Sequence, residues 1–342
     1  MSVCFNRIHG NQNLKSYFSQ AITGEAMPHA LILEGQNGSG RYTFALELAM
    51  SMCCKAQEKP CGICNNCRKF KEGISPDVVT VTLPEGKASI PVDAVRDIKS
   101  SASKVPIEND YKFYIIRNCE KMTVQAQNAI LKVLEEPPSF IVFILITTSA
   151  SLLLPTIVSR APVFRMQSFT AEELTDILLN NYQKAQKLNA DDPEGFSYLV
   201  RAANGCLGQV IENLDKRSVG NTTKRYQLIE DFFCALIGND KYSFISLEEE
   251  INSKKREEFV SFVSDIRIAL RDVLCVKKST QAQLLFFISE EKAIAFASML
   301  TLESIVNMIG FCNEALKNNE LNANMNLLKI NFMSGMWKRA HS

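Results

Sequence analysis

The first half of the chain alternates short apolar runs with longer segments of helical period. HALILEG, DVVTVTLP, KFYIIRN and FIVFILITT have the length and β-branched content of buried strands. Between them, RYTFALELAMSMCC, IPVDAVRDIKSSAS and TVQAQNAILKVLEEPP carry apolar positions at helical spacing. Pro91 opens the second of these and a double proline stops the third. Buried strands alternating with helices predict an α/β P-loop domain whose parallel sheet is covered on both faces. From about residue 168 the strand signal is gone. SFTAEELTDILLNNY places Thr170 three residues before Glu173, a capping box ahead of an amphipathic run, and a small helical unit is expected to end near AANGCLGQVIENL. After the polar stretch DKRSVGNTTK, Phe259, Phe262, Val263, Ile266, Leu270 and Val273 recur at helical spacing. The pattern predicts an α/β P-loop-like domain over residues 1–167 with an insertion at about 53–67, a small helical domain over 168–218 and an all-α domain over 219–342.

Composition adds bounds rather than identity. With 342 residues, 46% of them hydrophobic and 22% charged, the chain can build two or three packed cores. A net charge of +1 gives no global basic field, so contact with nucleic acid has to come from a local patch or from a larger assembly. No apolar run approaches the roughly 18 residues of a membrane span, and the opening MSVCFNRIHGNQ is polar and mixed. The expectation is a cytoplasmic protein with no membrane partner.

Chemistry first enters at LILEGQNGSGRYTFALELA, where an apolar strand, Gly35, four residues, Gly40 and a helix follow the order of a phosphate-binding loop. Gly35, Gly38, Gly40 and Arg41 form the candidate nucleotide cradle. Where that loop needs Lys and a hydroxyl for Mg²⁺, this chain has Arg41 and Tyr42. Arg41 keeps the charge as a bulkier planar fork, and the phenol of Tyr42 cannot stand where a Ser hydroxyl would. The strand KFYIIRN ends in Arg117-Asn118, where a working site places metal-binding acids, and Glu120 falls beyond the strand end. Both catalytic positions have lost their chemistry.

Of the eleven cysteines, Cys4, Cys119, Cys206, Cys234, Cys275 and Cys312 are scattered among apolar neighbours and read as small core residues in a reducing compartment. The other five crowd into CCKAQEKPCGICNNC. Cys61, Cys64 and Cys67, with Cys54 or Cys53 as a fourth, suit a closed tetrahedral Zn²⁺ site, and iron–sulfur ligation is the lesser alternative without a Cys-Pro continuation. Further on, Thr147-Thr148, Pro155 and Ser159-Arg160 follow the last apolar strand. An arginine exposed there can reach a neighbouring subunit's γ-phosphate in trans, or stand as a solvated surface charge.

HALILEGQNGSGR, the cysteine run, NAILKVLEEPPSFIVFILITT and LPTIVSR together resemble the AAA+ subunits of the bacterial DNA polymerase III clamp loader. NANMNLLKINFM is similar to the end of their helical collar. Within that family the pattern falls with the non-hydrolysing delta prime type rather than the gamma/tau ATPase type. The resemblance implies a small helical lid, a collar for oligomerisation, and structural Zn²⁺ on Cys54, Cys61, Cys64 and Cys67 with Cys53 competing for the fourth place. It puts Thr147 or Thr148 in the sensor-one region and Gly208 where ATPase members tend to carry a sensor arginine. Ser159-Arg160 matches the Ser-Arg-Cys motif, with Ala161 in place of Cys, so Arg160 becomes the expected trans-acting finger. ATP is not expected to be hydrolysed at the chain's own loop. The implied partners are gamma/tau and delta subunits in a five-membered arc, the sliding clamp and, through the complex, primer-template DNA. Two alternatives stand beside this: an active gamma/tau-type ATPase in which Arg41 substitutes for Lys, and a zinc-dependent DNA-binding module on the same scaffold.

Overall fold

The computed structural model describes residues 2–84, 87, 89–216, 221–238, 240–278, 284–287, 290–320 and 323–341. The chain divides into two compact units, one of Met1–Phe169 with Cys206–Gln209 and one of Thr170–Gly205 with Val210–Ser342.

In the first unit the order is β1 (Ser2–Val3), α1 (Gln12–Thr23), β2 (Ala30–Glu34), α2 (Arg41–Cys53), β3 (Glu58–Lys59), α3 (Asn65–Glu72), β4 (Val78–Val81), α4 (Val92–Ala102), β5 (Lys112–Ile116), α5 (Val124–Glu135), β6 (Ile141–Thr147), α6 (Pro155–Val158) and β7 (Val163–Arg165). Five strands pair in the order β4-β5-β6-β2-β7, and every pairing is parallel. The pleat divides the strands between two cores. Leu31 and Leu33, Phe113 and Ile115, and Val142, Ile144 and Ile146 pack with Phe18 of α1, Phe44 and Leu48 of α2 and Phe70 of α3. The alternate residues Ala30 and Ile32, Tyr114 and Ile116, and Ile141, Phe143 and Leu145 pack with Val95 and Ile98 of α4 and Ile130 and Leu134 of α5. Burial on both faces is why these strands read as unbroken apolar runs rather than as alternation. The parallel register sets Glu34 opposite Thr147 and Ile116 opposite Leu145. It thereby brings the glycine loop, Arg117 and Thr147 to one edge of the sheet, where ligands of such folds bind.

The short pairing of β1 with β3 is absent from the sequence reading, as are α1, α3 and β7. Two- and three-residue strands are too brief to carry a period. In α1 only Phe18 and Ala21 are buried, which leaves little apolar signal to read.

The second unit is helical: α7 (Ala171–Asn181), α8 (Gln183–Asp191), α9 (Pro193–Ala202), α10 (Leu207–Lys216), α11 (Asn221–Ile237), α12 (Lys241–Ser253), α13 (Arg256–Lys277), α14 (Glu290–Met299), α15 (Leu302–Glu320) and α16 (Met325–Ala340). The capping box forms as expected. Thr170 Oγ1 accepts from the N–H of Glu173 at 3.2 Å, and Glu173 accepts from the N–H of Thr170 at 2.9 Å. All six apolar positions picked out along α13 are buried in one large cluster, which also holds Tyr198 of α9. Asp272, fully buried on the same helix, accepts from the N–H groups of Leu285, Phe286 and Phe287. The boundary expected at 218/219 lies outside the described residues, and the end of the polar stretch ahead of α11 is already helix. No single described helix is long and apolar enough to cross a membrane.

Among the scattered cysteines the core assignment needs correction. Cys119, Cys206 and Cys312 are buried, Cys4 and Cys275 only partly, and Cys234 is exposed. On α11 the inward positions are Ile229, Phe232, Phe233 and Leu236, and a residue at 234 falls outside that stripe.

Candidate functional site

Strand β2 delivers the chain into Gly35, and the turn closes through Gly38 and Gly40 at φ of 85° and 87°, a region that favours glycine. Gly40 then caps α2, so the helix N-terminus opens on the loop as phosphate cradles require. Ser39 and Arg41 crowd this turn. A Cβ on Gly35 would lie 2.8 Å from Ser39 Oγ and 3.6 Å from Arg41 Cδ. Arg41 is 6% exposed and donates from Nη2 to Asn37 Oδ1 at 2.8 Å, while its Nη1 and the Ser39 hydroxyl are buried without a partner. Burial lowers the proton affinity of Arg41, and the Glu120 carboxylate acts to restore it. Arginine stays charged regardless, so the cost is that of a desolvated cation.

The two positions at which a working phosphate-binding loop needs magnesium ligands meet each other. The Arg117 guanidinium lies over the Tyr42 ring at 4.5 Å from its centroid, a cation–π contact. The place where a hydroxyl and a carboxylate would converge on Mg²⁺ therefore holds a ring and a positive charge.

Glu120 is the residue that sequence reasoning undervalued. It sits past the end of β5, in the turn Cys119–Lys121, and its carboxylate accepts from Thr148 Oγ1 at 3.1 Å. Its second oxygen is buried and unpartnered. The site thus keeps one acid, whose field falls on Arg41. Thr147 turns away to its own loop, donating to Ser149 O at 2.9 Å, so Thr148 is the threonine of the pair that faces the acid.

The segment Cys206–Gln209, which opens α10, belongs to this unit and lies directly on the glycine loop. Gly208 N–H donates to Gly38 O at 2.9 Å, Gln209 Nε2 to Asn37 O at 2.8 Å, and Cys206 Sγ lies 3.5 Å from Gln36 Oε1. The loop's carbonyls are thereby engaged by protein.

Arg160 stands apart from this cradle. Its Nη1 donates to Thr156 O at 3.0 Å and to Ser159 Oγ at 3.2 Å, and its Nη2 to Glu135 Oε1 at 2.7 Å. The Ser159 hydroxyl in turn donates to Thr156 O at 3.1 Å. Ala161, where the resembling motif has Cys, is buried. Among the described residues, the hydrogen-bond partners of Arg160 are Thr156, Ser159 and Glu135, none of them in the glycine loop.

At the far end of α2, about 20 Å from Arg41 by helical rise, the sulfurs of Cys54, Cys61, Cys64 and Cys67 all lie within 4.8 Å of one another. A tetrahedral ion with bonds near 2.3 Å sets sulfurs about 3.8 Å apart, so a single Zn²⁺ fits with slight contraction, whereas a multi-iron cluster needs them further apart. The N–H groups of Cys61, Cys64 and Cys67 approach the sulfurs of Cys54, Cys61 and Cys64 at 3.4, 3.4 and 3.5 Å, an arrangement that favours thiolates. The N–H groups of Ile63 and Cys64 bring the Cys61 thiol down to about 6. Burial instead pushes up Cys64 and Cys67. Cys53 is outside the group. Burial, helped by Asp77 and Asp110, pushes its thiol up to about 12, as suits a core residue. The four sulfurs can hold a metal such as zinc, with no open position for substrate.

A family model described as "DNA polymerase III, delta subunit" matches residues 10–170. The DNA polymerase III subunit gamma of Buchnera aphidicola is 26% identical over 275 residues, 79% of this chain and 74% of that protein. The DNA polymerase III subunit delta prime of Bacillus subtilis is 34% identical over 160 residues, 46% of this chain and 48% of that protein. Against the tau subunit of Escherichia coli, at 25% identity, the chain spans 39% of the relative's length. Among solved structures, a gamma-subunit-related protein of Thermotoga maritima aligns over 96% of this chain and 99% of its own, with 20% identity and a TM-score of 0.49.

Proposed function

Since the chain belongs to the AAA+ clamp-loader subunits of DNA polymerase III, we propose that it is the non-hydrolysing, delta-prime-type member. In this reading it lends Arg160 to the ATP held by an adjacent gamma/tau-type subunit. The observation that carries the first half is the Arg117–Tyr42 stack, which puts a cation and a ring where a metal would need a carboxylate and a hydroxyl. The second half rests on Arg160, which is partly exposed, sits in the crossover between β6 and β7 and is bonded to acceptors outside the glycine loop. Partners in this reading are gamma/tau and delta subunits in an arc of five, which opens a sliding clamp and sets it on primed DNA in the cytoplasm. Residues 168–218 act as lid, residues 219–342 as collar, and Zn²⁺ on Cys54, Cys61, Cys64 and Cys67 is structural.

A second reading, an active gamma/tau-type ATPase, draws on the gamma match and on Arg41 and Ser39, whose buried unpartnered donors retain the makings of a phosphate cradle. Turnover by the purified chain separates the two. The proposal expects no Mg²⁺-dependent phosphate release above background, and saturable release supports the ATPase. For the finger, Arg160→Ala in a reconstituted arc should leave assembly intact and lower hydrolysis at the neighbouring site by about a hundredfold or more, as trans arginines do elsewhere. Arg160→Lys should recover little, because an ammonium lacks the planar fork. Unchanged hydrolysis in arcs carrying Arg160→Ala would leave Arg160 a surface charge.

A further inference from the structure

Helix α5 holds the Arg160 segment at two points. Near its start, buried Gln127 accepts the N–H of Leu154 on Oε1 at 2.9 Å, while its Nε2 donates to Met122 O at 3.3 Å. This fixes the entry into α6. About 12 Å further along the helix, Glu135 accepts from Arg160 Nη2 at 2.7 Å. The base of the loop and its tip are thus tied to one rigid element.

Glu135 is an unfavourable residue for its place. It is the last residue of α5, where the helix dipole presents its negative end, and Glu136 follows at the cap. An acid there raises the local energy unless a cation answers it, and Arg160 is the cation that does. From the side of Arg160, the accounting of donors is informative. A guanidinium has five N–H groups. Thr156 O and Ser159 Oγ engage both on Nη1, and Glu135 engages one on Nη2. Three acceptors in fixed positions set the plane of the fork, and one N–H on Nη2 together with Nε–H remains for an external oxygen.

We propose that Glu135 is a positioning residue for the trans-acting arginine: it holds the Arg160 guanidinium in the orientation that meets a neighbouring subunit's ATP. This rests on the finger reading above. Glu135 touches no substrate. Its contribution is to remove rotational freedom from a long side chain before the phosphate arrives, so that less of it is lost in the transition state. Both side chains are partly exposed, at 35% for Arg160 and 45% for Glu135, so the tie is modest in strength and substitution of Glu135 leaves the core untouched.

The test uses reconstituted arcs in which the other ATP sites are disabled, comparing unmodified protein, Glu135→Ala, Glu135→Gln, Arg160→Ala and Glu135→Ala with Arg160→Ala. Glu135→Ala should lower kcat roughly two- to fivefold, with KM for ATP and assembly unchanged. Glu135→Gln keeps an acceptor oxygen and should lie closer to the unmodified rate. In the Arg160→Ala background Glu135→Ala should add nothing. A fall in kcat that multiplies with that of Arg160→Ala would overturn the inference, because Glu135 would then act through something else. So would a rise in kcat, which would make the pair a restraint rather than an alignment. If Arg160→Ala slows hydrolysis and Glu135→Ala does not, only the positioning role falls. If Arg160→Ala has no effect, the finger reading falls and takes this one with it.

Discussion

On the non-hydrolysing reading, Arg117 matters twice, because it stands where a working site needs an acid and its guanidinium covers the Tyr42 ring. Restoring the loop alone should therefore fail. A chain carrying Arg41→Lys and Tyr42→Thr frees Arg117 from its aromatic partner and leaves an unopposed cation beside the metal position, so phosphate release should stay at background with Mg²⁺ present. Adding Arg117→Asp is the change that could admit the ion, and turnover in the double variant would refute the role given to Arg117. Asp77 works at the same scale with the opposite charge. Burial by itself would raise its carboxyl, but the N–H groups of Ile107, Glu108 and Asn109 and the Asn109 side chain pull it below the usual range. A depressed carboxyl stabilises the fold fully above its unfolded value of about 3.9, and that contribution drains as pH falls towards the folded value. Asp77→Ala should cost about 2 kcal/mol near neutral pH. In urea titrations, the stability gap between the native chain and Asp77→Asn should narrow below about pH 4; a gap that widens in acid would contradict the assignment.

Among the elements, the cysteine loop between α2 and α3 is tied into one core of the sheet unit. Its buried members Cys54 and Cys67 belong to the cluster built by Phe18, Phe44 and Phe70, so an ion there braces one face of the sheet unit. Purified protein should carry about one Zn²⁺ per chain, with sulfur neighbours near 2.3 Å by X-ray absorption. Cys64→Ser should release the ion and lower the melting temperature of this unit while leaving arc ATPase largely intact at permissive temperature. The strands of the central sheet and the helices opposite were legible because double-sided burial writes itself as apolar runs, and the Thr170 box because its two partners are three residues apart. Glu120, Glu135 and Asp77 were not. Their partners lie at Thr148, Arg160 and residues 107–109, 25 to 32 positions along the chain, and only the parallel crossover brings them together. Cys53 and Cys54 are a different case: two adjacent residues at a helix end point in different directions, and composition cannot say which one turns towards the other three sulfurs.

For the whole molecule, two units with separate cores imply two cooperative events. Calorimetry of the isolated chain should resolve two transitions, and chelation or Cys64→Ser should shift one and spare the other, since the cysteine loop contributes to the core of the sheet unit alone. A single transition that moves as a whole would mean that the units unfold as one. The net charge of +1 bears on the same scale. Few phosphates can be neutralised by such a chain alone, so duplex binding by the isolated protein should be weak, with a shallow dependence on salt.

The meeting of Gly38 with Gly208 bears on how a sequence can drift. A Cβ at 208 would come within 2.8 Å of Gly38 O and 3.0 Å of its Cα, and a Cβ at 38 would come within 2.8 Å of Gln209 N. Each glycine is required while the other backbone stays where it is. A side chain of any kind at 208 has to wait for the loop to move. Substitutions at 41, 42 and 117 can thus accumulate one by one, but their reversal confers nothing singly, because each restored group meets a loop still pinned by backbone. On the non-hydrolysing reading the contact behaves as a ratchet on ancestry: a lineage that has closed it can wander by small steps and can return only by a concerted one.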